Sequence, residues 1–210
     1  NVSNVTDMVL FLSDVDFYPK ENYDKLLKAW SQLPLQDNVG MSISATYCNG
    51  AAARQSIIDD FGWSFGDLGQ DCEPFITTWK TDNTGTSNSD QITIPTTGTG
   101  YNYSIDWGDG NTDTGVTGDI THTYASTGTY TVSITGDFPR IFFNGVGDPQ
   151  KILTIEQWGD IEWTSMEYAF RSCVNLVSNA IDAPDLSQVT SLKGMFASAT
   201  GFTGDLNSWD

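Results

Sequence analysis

The 210 residues predict a mixed, β-rich fold in which solenoid coils stand at both ends of a helical block and an antiparallel sandwich. Three observations carry this expectation. Residues 1–12, NVSNVTDMVLFL, and residues 185–196, DLSQVTSLKGMF, are two versions of one phrase. Residues 19–34 place Tyr23, Leu26, Leu27 and Trp30 at helical spacing. Residues 101–107, YNYSIDW, and 129–135, TYTVSIT, alternate with the period of two expected of half-buried strands.

Composition sets the outer bounds. Hydrophobic residues make up 39% of the chain and aromatics 12%, enough for packed cores. Twenty-seven acidic against nine basic residues give a formal charge of −18. Such a charge repels phosphate backbones and anionic headgroups, so neither a nucleic-acid partner nor membrane insertion is expected, and cations are the natural companions. No apolar run is long enough to span a membrane. No signal peptide opens the chain at Asn1, and a chain that starts in mid-phrase is expected to be an internal piece of something longer.

The ends come first. Aligning residues 165–170, SMEYAF, on 191–196, SLKGMF, gives a shift of 26 that also sets Cys173 on Ala199, Leu176 on Phe202 and Ala180 on Leu206. A period of about 20 to 29 residues with recurring apolar positions is that of a leucine-rich solenoid, whose coils stack inward side chains on those of the next. Val2, Val5, Met8, Phe11 and Leu12 fit the same frame. Met8, Met166, Met195, Phe170 and Phe196 are therefore expected to be core ladder residues. Residues 189–210, VTSLKGMFASATGFTGDLNSWD, resemble the BspA-like leucine-rich repeats of bacterial surface proteins. The resemblance covers residues 1 to 15 and 160 to 210 and implies the end of one solenoid over 1–18 and the start of a second over 164–210.

Residues 19–75 follow as a helical block. Pro19 precedes and Pro34 follows the first helix; a second runs through AAARQSIIDDFGW, opened by Asn49 and closed at Gly62, with Ile57, Ile58 and Phe61 on its apolar side. The block looks like the terminal segment that follows such repeat arrays, which implies a cap over the open end of the last coil. Cys48 and Cys72 flank the second helix, and in a block resembling a secreted cap they are expected to pair in a disulfide, which implies an oxidising, extracytoplasmic setting. Cys173 falls on a ladder position and reads as a small buried hydrophobe. Three cysteines with one histidine and no short Cys or His pairs do not suggest a zinc site.

Residues 76–137 carry the alternating strands, with GDGN between two of them. The order DWGDG (106–110), HTY (122–124), GTYTVSI (128–134) closely resembles the polycystic kidney disease (PKD) domain, an immunoglobulin-like sandwich common in extracellular bacterial proteins. The resemblance gives Trp107, Gly108, Gly110, His122 and Tyr124 a structural role. Asp106, Asp109 and Asp113 crowd one hairpin and are candidate ligands for Ca²⁺, a hard cation bound by oxygens. Their spacing is not that of an EF-hand, and the preferred reading is that Asp106 and Asp109 accept backbone amides to fix the turn. No other cofactor is expected. The chain carries no Gly-x-Ser-x-Gly nucleophile motif, no phosphate-cradling glycine loop and no singled-out pair of acids, so no enzyme is expected.

Residues 138–163 hold two strand-like runs, RIFF and KILTIEQW, separated by a Gly-Asp-Pro turn, and are expected to splice the sandwich rigidly onto the next solenoid. The functional expectation is a segment of an extracellular or cell-surface structural or adhesive protein. Its expected partners are neighbouring copies or the flanking repeats of a longer chain, with surface glycans as further ligands. Asn1 and Asp210 fall at one phase of the repeat, which suggests either head-to-tail stacking into a filament or one period of a longer array, with a cut at an arbitrary place in a long chain as the equal alternative. The alternative is a carbohydrate-binding accessory module of a larger secreted enzyme, with Trp63, Trp79 or Trp163 stacking on sugars; a secreted hydrolase would need a cleft of facing acids.

Overall fold

Pro19 fixes the entry to the first helix, because its ring sets φ and it has no amide proton to leave unpaired. The computed structural model describes every residue except Asn1, Ser13, Asp14, Phe17, Ser208 and Asp210. It is β-rich and divides into two units, Asn1–Cys72 and Glu73–Asp210.

In the first unit the order is β1 (Met8–Leu12), α1 (Lys20–Trp30), β2 (Gly40–Ile43), α2 (Ala51–Phe61) and β3 (Ser64–Gly66). The three strands pair in parallel, with Met8 opposite Met41 and Met41 opposite Phe65. Parallel neighbours need a crossover rather than a hairpin. The two helices lie in the connections that supply it. Tyr23, Leu27 and Ile57 are fully buried with Met8, Met41, Ile43 and Trp63 in one core. GMSI and SFG are too short for their alternation to register, and the block expected as a helical cap also carries these two strands.

The start of α2 is fastened from outside. Asn49 was the expected opener, yet the buried Asp24 carboxylate of α1 accepts the amides of Cys48 (3.0 Å), Asn49 (3.1 Å) and Gly50 (2.7 Å). A helix start leaves such amides without internal partners, and an anion there also favours the helix dipole. At the other end Gly62 adopts φ +66° and closes the helix, a conformation glycine enters without steric cost. Cys48 and Cys72 form a disulfide with Cα atoms 5.1 Å apart, beside a parallel bridge between Tyr47 and Gln70.

One ladder expectation fails here. Phe11 is 49% exposed, because β1 spends four steps between Met8 and Leu12 where β2 spends two between Met41 and Ile43. The bulge turns Val9, Leu10 and Phe11 outward, with Leu10 at φ +63°.

The second unit contains β4 (Phe75–Lys80), β5 (Gln91–Ile94), β6 (Asn102–Asp106), β7 (Thr112–Val116), β8 (Ile120–Thr123), β9 (Thr129–Asp137), β10 (Ile152–Gln157) and β11 (Val177–Ser178). Six strands form one sheet in the order β11-β10-β4-β9-β6-β7, and β5 pairs with β8 in a second. Ile92 and Ile94 of the small sheet share a core with Trp79, Tyr103, Ile105 and Val132 of the large one. RIFF is not a strand. Ile141 and Phe143 are buried, but the amides of Phe143 and Asn144 donate to the carbonyls of Ala169 and Tyr168, so this segment runs beside the following coil instead of joining the sheet. KILTIEQW does supply β10, which pairs antiparallel with β4 and parallel with β11.

Beyond β10 the backbone repeats itself. The amides of Met166, Tyr168, Phe170 and Ser172 donate to the carbonyls of Ser191, Lys193, Met195 and Ala197. Positive φ recurs at Tyr168 and Gly194 and at Ser172 and Ser198, each pair 26 residues apart. Ser165 and Ser191 each accept the amide two residues ahead. Phe170 stacks on Phe196 at 5.7 Å and 12°. Met166, Phe170, Cys173, Leu176 and Met195 are buried, and Phe196 and Phe202 are half-buried against the same core, while Met8 is buried in the core of the first unit. Burial pushes the Cys173 thiol well above its ordinary range, which makes it inert as a nucleophile.

The Cys48–Cys72 bond spans 24 positions, and constraining a loop of that size in the unfolded chain stabilises the first unit by about 3 kcal/mol. A Cys48→Ser/Cys72→Ser chain is expected to lose that amount in urea unfolding followed through Trp30 and Trp63; an unchanged midpoint would contradict it.

Candidate functional site

The hairpin between β6 and β7 holds most of the residues the sequence singles out. Trp107 closes it by donating its amide to the Asn111 carbonyl at 3.1 Å. Asp106 accepts the Gly108 amide at 2.8 Å, and Asp109 accepts the Asn111 amide at 3.0 Å, both two residues ahead, the pattern by which a short carboxylate imitates a backbone turn. Gly108 has φ +74°, and a Cβ there would meet the Thr131 carbonyl of the neighbouring β9. Gly110 has φ +91° with open space around it, so conformation alone selects glycine.

The aromatic residues fasten this turn to the other sheet. The Trp107 indole donates to Asp113 at 2.8 Å, and the Tyr124 hydroxyl donates to the Trp107 carbonyl at 3.0 Å. His122 lies flat on Trp107, centroids 4.7 Å apart and planes 11° off parallel, and meets Tyr124 edge-on at 4.6 Å. Its Nε2 is 2.8 Å from Asp109 Oδ2. Tyr124 stacks in turn on Tyr130 at 3.7 Å, and burial pushes its phenol far above the ordinary range, so it stays neutral as a donor. The only histidine thus joins β8 to the hairpin through one hydrogen bond and one stack. Each of Asp106, Asp109 and Asp113 holds an N–H donor. Among the described residues no group of three or more His, Cys, Asp or Glu is arranged to hold a metal ion. A Ca²⁺ ion at this hairpin would compete with those hydrogen bonds for the same oxygens.

The tryptophans offered for sugar stacking are corrected by their burial. Trp63 is 3% exposed and Trp79 and Trp163 are 0% exposed. Trp63 packs against Trp30 and Phe65 and donates to the Gln36 carbonyl; Trp79 lies on Phe143 and donates to Thr77 Oγ1; Trp163 sits among Phe75, Phe138 and Trp158. None presents a ring face to solvent. In FITTWK, Phe75, Thr77 and Trp79 fall on one face, and that alternation was the available signal.

Two surface features escaped the sequence reading. A cleft of about 420 Å³ is lined by Glu73, Glu156, Asp160, Asp182 and Ile181 among others. Its acids are engaged: Asp182 accepts the amides of Trp158 and Gly159, Asp160 accepts that of Glu73, and Asn179 donates to Glu156. On the coils, Lys193 and Arg171 lie over the Tyr168 ring, and Arg140 over Phe142, with Glu167 beside Lys193 and Arg140.

A family described as Mycoplasma protein of unknown function, DUF285, matches residues 140–210, the segment in which the positive φ angles recur at 26 residues. No curated protein and no solved structure matches the chain.

Burial works to raise the Asp109 carboxyl, but hydrogen bonds from His122 and from the amide and side chain of Asn111 outweigh it and hold it below its ordinary value. A carboxyl lowered by folding contributes stability above its unfolded value near 3.9 and loses it as pH falls through the folded one. Between about pH 5 and the acid limit of folding, the parent chain is therefore expected to lose more stability than Asp109→Asn. Urea midpoints taken at each pH measure this, and parallel curves for the two proteins would contradict it.

Proposed function

We propose that this chain is a segment of an extracellular or cell-surface structural or adhesive protein, in which BspA-like leucine-rich coils are spliced to a PKD-like, immunoglobulin-type sandwich. The observation that carries the reading is the recurrence of backbone geometry at 26 residues, Tyr168 with Gly194 and Ser172 with Ser198, combined with coil-to-coil amide bonds. A backbone that repeats both its turns and its hydrogen bonds grows by adding coils, and it makes an extended rod rather than a closed active-site fold.

Further support comes from β10, which leaves no free linker between sandwich and coils. The cluster of Trp107, His122 and Tyr124 supports the PKD-like reading, since His122 and Tyr124 bind and stack on the β6–β7 hairpin and so join it to β8. The Cys48–Cys72 bond supports an oxidising location. In this reading the partners are neighbouring coils, from flanking repeats or from other copies. The carbohydrate-module alternative loses its proposed stacking residues to the core.

The reading is tested by raising antibodies against residues 73–210 and applying them to intact source cells. Labelling without permeabilisation, removed by brief external protease treatment, is expected. Labelling that requires permeabilisation would overturn the proposal.

A further inference from the structure

Lys151 is fully buried, an expensive place for a charge unless its protons are taken up. Its Nζ lies 2.8 Å from the Asn88 carbonyl, 2.9 Å from that of Gln91, 3.1 Å from that of Ser87 and 2.6 Å from Ser87 Oγ. Four oxygens thus surround one nitrogen, and three are backbone carbonyls of a single loop. Behind them lies a second buried charge, Asp148. Its Oδ1 accepts the amides of Thr86 (2.9 Å) and Ser87 (3.0 Å); its Oδ2 accepts the Thr93 amide (2.9 Å) and the Ser87 hydroxyl (2.6 Å). The Ser87 hydroxyl therefore stands between ammonium and carboxylate. Loop and turn approach closely enough that a Cβ on Gly85 would fall against Asp148 Oδ1 and Lys151 Cε.

A serine beside a buried lysine invites a nucleophilic reading, in which a neutral amine takes the hydroxyl proton. The geometry argues otherwise. Carbonyl oxygens accept protons only, so three of them around Nζ require the ammonium form, and an ammonium has no lone pair for a base. Burial outweighs the pull of Asp148, Asp90 and Asp82 and holds the Lys151 pKa below its ordinary value, but the three carbonyls around Nζ favour the ammonium. Carbonyls, a hydroxyl and a nearby carboxylate are instead the oxygen set that hard cations take.

We propose that residues 87–91, backed by Asp148, form an internal cation site which the chain fills with its own Lys151 ammonium, and which accepts a small primary ammonium ion when that side chain is shortened. The ammonium orders the loop as a bound metal ion would, and it cannot diffuse away. The order of this loop is then independent of dissolved cations, unlike that of a loop built around exchangeable Ca²⁺.

The full chain labelled with ¹⁵N-lysine tests the site. One lysine ammonium signal, absent in Lys151→Met, is expected to exchange its protons at least about 100-fold more slowly than the others near pH 7. Six lysine ammonium groups with uniformly fast exchange would overturn the proposal. In Lys151→Ala, the amides of Thr86, Ser87 and Thr93 are expected to exchange at least about tenfold faster and to recover with propylammonium but not with tetramethylammonium, which has no N–H. Equal recovery with both ions would overturn it, because general screening would then explain the effect. Lys151→Met with loop amides as protected as in the parent would also overturn it, because the packed stem alone would then hold the loop.

Discussion

The second unit depends on β10 being hydrogen-bonded along both edges. On one side Ile152 and Ile155 face Trp79 and Thr77 of β4 in antiparallel register; on the other Thr154 and Ile155 face Val177 and Ser178 of β11 in parallel. A strand with partners on both sides presents no free ladder, so the strands before β10 and β11 beyond it share one sheet. The side chains agree with the backbone. Trp158 stacks on Phe75 of the sandwich and meets Phe170 of the coils edge-on, within one contiguous core. Removing either partner would leave amides and carbonyls of β10 unpaired on that side.

The acidic composition has a structural use that the net charge alone hides. Asp24, Asp148 and Asp182 each accept two or more backbone amides that turns or a helix start would otherwise leave unpaired. Asp7, Asp67, Asp106, Asp109, Asp185 and Asp205 each accept the amide two residues ahead. A fold built from short strands and many corners has more amides outside ladders than a helical bundle, and carboxylates are strong acceptors for them. Much of the −18 is thus distributed over corners along the chain.

What the sequence made legible was local. Tyr23 and Leu27 mark the buried face of α1, the GDG turn marks the hairpin, and the flanking positions of Cys48 and Cys72 mark their bond, because each signal lies within a few residues or follows from a family resemblance. The 26-residue shift anticipated Phe170 on Phe196 for the same reason. What stayed hidden depends on distant pairing. β2 is a strand because it lies between β1 and β3, and β3 because it pairs with β2, not because GMSI or SFG favours extension. Alternation places Trp79 on a face but does not say that the face is covered. Lys151 and Ser87 are 64 positions apart, and no local pattern announces that a lysine will be caged by that loop.

A sheet that joins β4 and β9 through β10 to β11 should not let the segment beyond β10 open while β4 and β9 stay closed. The most direct test is native-state hydrogen exchange under increasing urea, comparing the amides of Tyr168 and Phe170 on the coils with those of Thr77 on β4 and Val132 on β9. The account predicts that the four converge on one opening free energy with one urea slope, as members of a single cooperative unit. Coil amides that follow their own shallower slope, exchanging while the β4 and β9 amides remain protected, would contradict it.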